Sequence, residues 1–265
     1  MIQGDDTPRD SQSLVTAQTG YDEAMNQPTS ASPASRSGLR AAFFGGSFDP
    51  PHLGHLAVAR AARAALELDT VLFAPVGAQP LKPHGASASF EDRVAMTRLA
   101  IAGEAGFAIS LADAPKPSGV PNFTVETLAE VRAALPAGSE LFCLMGADSF
   151  AGMRHWHRAA DVPFAAPLIV ASRPGQQLDD LQAWLPPGCV LESESRLCEV
   201  RHGVEVHIYF LVNAEGGRRA FYLLPDLDVE ISASEIRGRI HALQAEGELL
   251  PAAVSDYVRA HGLYH

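Results

Sequence analysis

Two histidines stand three positions apart in a glycine-rich segment, Gly45 to His55, whose sequence is GGSFDPPHLGH. The segment follows a short apolar run and precedes an alanine-rich stretch with helical spacing, so it joins a predicted strand to a predicted helix. A helix N-terminus offers unpaired N–H groups and the positive end of a dipole, which together favour an anion. Gly54 leaves room for a phosphate against bare backbone, and His52 and His55 can point at the same phosphate. The alternative interpretation is an ordinary connection with two incidental histidines.

A second segment, Ile231 to Arg237 with sequence ISASEIR, has the features of another anion site. Ser232 and Glu235 form the S-x-x-E pattern of a capping box at a helix start. The Ser234 hydroxyl lies beside the N–H groups of that start, and Arg237 adds a forked cation suited to phosphate. Taken alone the segment is equally compatible with a capped helix. Together, the two segments predict that distant parts of the chain converge on one triphosphate.

Two further groups suggest contacts with the rest of a nucleotide. Asp148, in the segment Met145 to Ser149, follows a predicted buried strand, where a carboxylate suits ribose hydroxyls or caps the next helix. Trp156 either stacks on an aromatic ligand or belongs to the core. A metal site at His155 and His157 is disfavoured because their spacing separates them on a helix.

Strands and helices must alternate to position these groups. The predicted strands are Leu39 to Phe44, Thr70–Pro75, Phe107 to Leu111, Glu140 to Met145 and Pro167 to Ser172. The predicted helices are Gly54 to Leu68, Phe90 to Ala102, Thr124 to Leu135, Ala147 to Ala160, Ser234 to Leu243 and Pro251 to Ala260. This alternation indicates an α/β fold, a doubly wound parallel sheet that binds ligands beyond the carboxyl ends of its strands, at a switch in strand order.

The pattern divides the chain into three parts. Residues 1–37 are polar and aperiodic and predict a disordered tail. Residues 38–265 form the predicted domain, which ends in helices over 232–262. Within it, residues 176–224 are a variable insertion that contains a predicted hairpin of Val204 to Leu211 and Arg219 to Leu224.

Bulk composition excludes several classes of protein. The net charge of −11 argues against a nucleic-acid binder. The chain has no apolar run long enough for a membrane helix and no signal-peptide pattern at its start. Its three cysteines lack metal-ligand spacing, which favours a reducing, cytoplasmic setting. The sequence leaves homo-oligomerisation open.

These motifs resemble those of the HxGH nucleotidyltransferases and, within them, the bacterial nicotinate-nucleotide adenylyltransferases. The resemblance runs from about Leu39 to the C-terminus and fades between Gln176 and Leu224. His52 favours this branch over the phosphopantetheine adenylyltransferases, which typically carry Thr at that place. The resemblance implies a Rossmann-like fold and transfer of AMP from ATP to nicotinate mononucleotide. It also implies a Mg²⁺ ion held mainly by ATP oxygens, without dedicated protein ligands.

The resemblance also assigns roles to individual residues. The catalytic residues are His52, His55 and Arg237. The ATP-binding residues are Gly45, Gly46, Ser47, Phe48, Gly54, Gly146, Asp148, Ser232 and Ser234. The acceptor-binding residues are Lys82, Thr124, Trp156 and Arg173.

The chain departs from the family pattern on the acceptor side. Many relatives read PPHK after the second strand, whereas this chain has Leu81 before Lys82 in place of the histidine. Phe123 likewise replaces the tyrosine of the family's SYT segment. Three alternatives therefore stay open: nicotinamide mononucleotide or phosphopantetheine as the acceptor, a related cytidylyltransferase, or a nucleotide-binding regulator without turnover.

Overall fold

A computed structural model describes residues 37–77, 85–172, 181–192, 197–227, 232–242 and 249–265 of the chain. The predicted tail over 1–37 falls almost wholly outside these ranges, as do Lys82 and Arg173. The described strands are β1 (Arg40–Gly46), β2 (Thr70–Pro75), β3 (Phe107–Ile109), β4 (Glu140–Gly146), β5 (Leu168–Ala171), β6 (Cys189–Leu191), β7 (Leu197–Arg201), β8 (Val204–Asn213) and β9 (Arg218–Leu224).

These strands form one sheet in the order β3-β2-β1-β4-β5-β9-β8-β6, with β7 also paired to β8. The pairs from β3 to β9 along this order are all parallel, as predicted for a doubly wound sheet. Phe43 of β1 pairs with Leu72 on one side and with Cys143 on the other. After β1, the next two strands, β2 and β3, therefore lie on one side of β1, and β4 follows on its other side. This reversal is a topological switch, whose carboxyl-end crevice commonly holds a ligand.

Helices cover both faces of the sheet. Their bounds are α1 (Leu53–Leu66), α2 (Phe90–Ile101), α3 (Thr124–Ala134), α4 (Ala147–Met153), α5 (Val162–Ala165), α6 (Leu181–Trp184), α7 (Ala233–His241) and α8 (Ala252–His261). Within the described ranges, none of them combines the length and apolarity that crossing a bilayer requires.

Alternation along β1 explains the two main cores. Phe43 belongs to a buried cluster with Val125 of α3 and Phe150 of α4. Its neighbour Phe44 belongs to a second cluster, with Leu56 of α1. Successive side chains of a strand point to opposite faces, so the buried part of this central strand is apolar on both faces.

The predicted helix from Ala147 to Ala160 is wrong beyond Met153. After Gly152, the backbone bonds tighten to three-residue spacing, with His155 N–H donating to Gly152 and Trp156 N–H donating to Met153. Glycine and the aromatic run that follows are weak helix formers, which explains the early end. Trp156 and its two flanking histidines therefore lie on a turn rather than on a helix.

The predicted hairpin of the insertion is confirmed as β8 and β9, and both strands are longer than expected. The sequence pattern did not reveal that β9 also pairs in parallel with β5, with Leu168 opposite Phe221. This pairing makes the insertion a continuation of the main sheet.

Candidate active site

A cavity of about 940 Å³ opens at the carboxyl ends of β1 and β4, at the switch in strand order. Every predicted site residue that the structure describes lines it. These residues are Gly45, Gly46, Ser47, Phe48, His52, Gly54, His55, Thr124, Gly146, Asp148, Trp156, Ser232, Ser234 and Arg237. The volume falls within the usual range for small-molecule sites. The predicted convergence of the two anion segments on one cavity is therefore confirmed.

The two histidine rings of the first segment contact each other at a tilt of 37°. Their ring centroids are 3.7 Å apart, and His52 is only 6% exposed. The His52 backbone N–H donates to His55 Nδ1 over 3.1 Å, at the first turn of α1. Because Nδ1 is an acceptor, a neutral His55 ring carries its proton on Nε2. His55 is thus prepared to donate one hydrogen bond from Nε2.

The Phe48 ring packs against His55 and supports the pair of histidine rings. Its side chain is 1% exposed and meets the His55 ring edge-on, with centroids 4.9 Å apart. It also packs edge-on against Phe44 at 5.6 Å. Phe48 therefore lines the cavity chiefly by fixing the position of the His55 ring.

Gly45 and Gly46 are the last two residues of β1, and neither has a positive φ. Both glycines thus belong to the strand itself and not to a turn after it. A Cβ added at Gly45 would lie 2.9 Å from Cε1 of Phe43, and one at Gly46 would lie 3.1 Å from Cζ of Phe48. Glycine is needed here because the aromatic rings crowd the end of the strand.

Arg237 ties the second segment to the first. Its Nη1 donates to the backbone carbonyl of Asp49 over 2.7 Å, and its Nη2 donates to Ser234 Oγ over 3.1 Å. A side chain on α7 thus holds the loop between β1 and α1, 188 positions earlier in the sequence. The guanidinium has five donors in a rigid fork, so these two bonds orient it without using its whole capacity.

The capping box predicted at the start of α7 forms in part. Ser232 Oγ accepts from the backbone N–H of Glu235 over 3.1 Å. The Glu235 carboxylate accepts from Arg239 over 2.6 Å, one turn along the helix. An arginine four residues on offers a charged partner, which competes with the backbone N–H for this carboxylate.

Asp49 is a structural centre that the sequence interpretation missed. It is 3% exposed, and its carboxylate accepts from the backbone N–H groups of Ser87 at 2.6 Å and Ala88 at 3.0 Å. Tyr264 Oη donates a third bond, at 2.8 Å. Burial, followed by the charge of Asp49, raises the pKa of the Tyr264 phenol well above its usual value, so Tyr264 remains a donor. The signal available in the sequence was a carboxylate inside the glycine-rich segment.

Arg93 holds the same loop from α2. It is 2% exposed, and its Nη1 donates to the backbone carbonyl of Ser47 over 2.7 Å. Burial lowers the pKa of Arg93, but an arginine stays charged in proteins. The loop is therefore fixed through two backbone carbonyls, at Ser47 and Asp49.

The other end of the cavity is aromatic. Phe123 occupies the N-cap position of α3. The centroid of its ring lies 4.3 Å from that of the His157 ring, at an angle of 33°. Trp156 is half-buried against the core, and His155 and His157 are exposed. A planar aromatic group could stack on this surface.

A buried carboxyl group lies near this aromatic end. Asp113 is 7% exposed, and its Oδ1 accepts from Thr127 Oγ1 over 3.0 Å. Burial raises the pKa of Asp113, and the Thr127 hydroxyl opposes that shift. Asn122 beside it donates to the backbone carbonyl of Ala114 over 2.7 Å. These bonds fix the wall from which Thr124 faces the cavity.

Comparison with known proteins identifies similar chains. The model of the cytidylyltransferase-like family matches residues 43–239. The chain is 38% identical over 228 residues to a probable nicotinate-nucleotide adenylyltransferase of Gloeobacter violaceus, covering 86% of this chain and 97% of that protein. It is 35% identical to the corresponding protein of Solibacter usitatus, covering 86% of this chain and 100% of the relative.

Solved structures share the fold. A Plasmodium falciparum nicotinic acid mononucleotide adenylyltransferase complexed with NaAD superposes with a TM-score of 0.60 at 15% identity, covering 85% of this chain and 97% of that one. The same enzyme complexed with APC gives a TM-score of 0.59 at 13% identity, with the same coverage of both chains. At these identities the likeness establishes the Rossmann-like fold alone.

Proposed function

We propose a function from one premise: this chain belongs to the cytidylyltransferase-like family and, within it, to the nicotinate-nucleotide adenylyltransferases. On this proposal the cavity binds ATP and nicotinate mononucleotide together. The reaction is adenylyl transfer. It yields nicotinate adenine dinucleotide and pyrophosphate, a step of NAD biosynthesis. The observation that carries the proposal is the pair of bonds from Arg237 to Asp49 and Ser234, which joins two anion-binding segments across one cavity.

The chemistry requires positioning more than proton transfer. A phosphate oxygen of the acceptor attacks the α-phosphorus of ATP, and the bond from that phosphorus to the oxygen bridging to the β-phosphorus breaks. The attacking oxygen is already ionised at neutral pH, so no general base is needed. The protein must hold two anions in line and neutralise the charge that grows on the leaving pyrophosphate.

The described residues suit those tasks. His55 Nε2–H and His52, at the positive end of α1, would donate to the phosphates. Arg237 and Ser234, at the start of α7, would bind the β- and γ-phosphates. Asp148 lies in the first turn of α4, exposed to the cavity, where ribose hydroxyls can bond it. Thr124 and Trp156 lie on the side assigned to the acceptor.

The donor set also agrees with a Mg²⁺ ion that arrives with ATP. Nucleotidyltransferases generally use a divalent metal. Around the phosphate end, the cavity presents histidine, serine, arginine and backbone donors, while the buried Asp49 carboxylate is already held by three donors. Such a lining favours an ion bound through phosphate oxygens and water, which is usual for Mg²⁺. When bound, the ion would neutralise phosphate charge.

A coupled assay tests the proposal. The full-length protein is incubated with ATP, Mg²⁺ and, in separate reactions, nicotinate mononucleotide, nicotinamide mononucleotide, phosphopantetheine and glycerol phosphate. Pyrophosphate release and the dinucleotide product are both measured. We expect the highest kcat/KM with nicotinate mononucleotide. Turnover confined to another acceptor would reassign the substrate, and binding of the dinucleotide without any turnover would favour a regulator.

A further inference from the structure

The hairpin of β7 and β8 brings three metal-ligating side chains together, far along the sheet from the cavity. Cys198 of β7 lies directly opposite His207 of β8 in the antiparallel register. Glu205 precedes His207 by two residues and therefore shares its face of the strand. One ligand atom from each of the three residues lies within 4.8 Å of the others.

Glu205 Oε1 stands between the other two groups. It is 2.6 Å from His207 Nε2 and 3.4 Å from Cys198 Sγ. Ligand atoms around a tetrahedral zinc ion are separated by ~3.5 Å, as its bond lengths of about 2.0–2.3 Å require. The sulfur–oxygen distance already matches, and the nitrogen–oxygen distance must widen by less than ~1 Å. A small rotation of the half-exposed Glu205 side chain provides that change.

The site is anchored on one side and open on the other. His207 is 8% exposed, whereas Glu205 and Cys198 are exposed. On the opposite face of β8, Val206 and Ile208 are buried in the core that packs on α1. Strand β8, which carries Glu205 and His207, is thus held in place by the core. An ion can reach the three side chains from the solvent-exposed side, where Cys198 and Glu205 lie.

We propose that Cys198, Glu205 and His207 bind a zinc ion, with water completing a tetrahedral site. A thiolate, an imidazole and a carboxylate are the ligand types that zinc takes in proteins. Binding replaces the hydrogen bonds at Glu205 Oε1 with metal bonds. The Cys198 thiol releases its proton to solvent, since the thiolate is the ligand, and the neutral His207 ring carries its proton on Nδ1 so that Nε2 can bind the ion. The ion cross-links β7 to β8 and stabilises the hairpin.

This site is independent of the proposed catalytic chemistry. None of its three residues lines the cavity described above. Mg²⁺ prefers oxygen ligands in octahedral geometry, so it competes poorly for a site with sulfur and nitrogen donors. Linear spacing could not reveal the site because Cys198 and Glu205 are seven positions apart, and the strand register supplies the proximity.

The experiment titrates untagged full-length protein with CoCl₂, without nucleotide, and follows the visible absorption spectrum. We expect one equivalent of cobalt with tetrahedral d–d bands and a thiolate-to-cobalt charge-transfer band, both displaced by ZnCl₂. Cys198→Ser should abolish the charge-transfer band, and Glu205→Gln should weaken affinity at least ~10-fold. His202→Asn, in the turn of the same hairpin, is the matched control and should bind as the wild type does.

A second measurement avoids variants altogether. Cys198 is exposed, whereas Cys143 and Cys189 are buried, so a thiol reagent should modify Cys198 first. ZnCl₂ should slow that modification, and MgCl₂ should not. Cobalt spectra without charge transfer, equal cobalt affinity in Glu205→Gln and wild type, or a Cys198 modification rate indifferent to ZnCl₂ would each overturn the proposal.

Discussion

Tyr264 Oη donates a 2.8 Å hydrogen bond to Asp49 Oδ1, across 215 positions of the sequence. The Asp49 backbone carbonyl in turn accepts from Arg237. The segment after α8 therefore supports the loop that carries His52 and His55, and it does so through the buried Asp49 carboxylate. Disturbing this support should affect stability and turnover together.

Tyr264→Phe removes this donor and leaves Asp49 with its two backbone donors. A hydrogen bond to a charged group is worth about 1.5–3 kcal/mol, so we expect a loss of stability of that order and a lower kcat. Denaturant unfolding and steady-state kinetics measure the two effects. Tyr257→Phe is the matched control, since Tyr257 Oη donates to the partly exposed Asp92 over 3.0 Å. Equal losses in both variants would show that Tyr264 has no special relation to the site.

His55→Ala should lower turnover by roughly 10²–10³, the effect of losing one preorganised donor at a transition state. The substitution also removes the acceptor of the His52 N–H. His55→Asn separates the two effects because its side-chain oxygen can replace Nδ1 as an acceptor, while nothing replaces Nε2. We expect His55→Asn to unfold like the wild type and still to lose turnover. Wild-type kcat in a folded His55→Asn would remove His55 from the mechanism.

Arg237→Lys should raise KM for ATP and lower kcat. Lysine keeps the charge but cannot donate to Asp49 O and Ser234 Oγ in the fork geometry of arginine. Losing a charged hydrogen bond of about 1.5–3 kcal/mol corresponds to roughly a tenfold to hundredfold lower kcat/KM. Arg239→Lys, two positions along α7, changes an exposed pair with Glu235 and should leave kinetics unchanged. Similar kinetics for both variants would contradict the role of Arg237.

The stability of the protein should carry a pH signature from Asp113. Burial raises the pKa of this carboxyl in the folded protein above the ordinary value of about 3.9. Between those two values the folded protein holds more protons than the unfolded chain, so this group makes stability fall as pH rises. Asp113→Asn removes that contribution. The stability of the variant relative to wild type should therefore increase from pH 3.5 toward neutral pH, as measured by denaturant unfolding at about four pH values. A difference that is constant with pH would contradict the shift.

The strand Thr70–Pro75 was predicted with its observed bounds because its short apolar run is typical of a buried strand and its proline marks the end. The switch in strand order and the shared cavity also followed from the positions of the motifs. By contrast, the end of α4 at Met153 depended on turn bonds that helical periodicity does not encode. The role of Asp49 was hidden because its partners come from residues 87, 88 and 264. Local sequence patterns do not encode contacts over such separations.

The Asp49–Tyr264 bond has a consequence for biosynthesis of the chain. The loop around position 49 leaves the ribosome long before position 264 has been translated, yet its carboxylate needs the phenol for its third donor. While position 264 is still untranslated, this loop therefore lacks one of the three donors that hold its Asp49 carboxylate. We therefore expect the loop around Asp49 to reach its final arrangement only after residue 264 has been made.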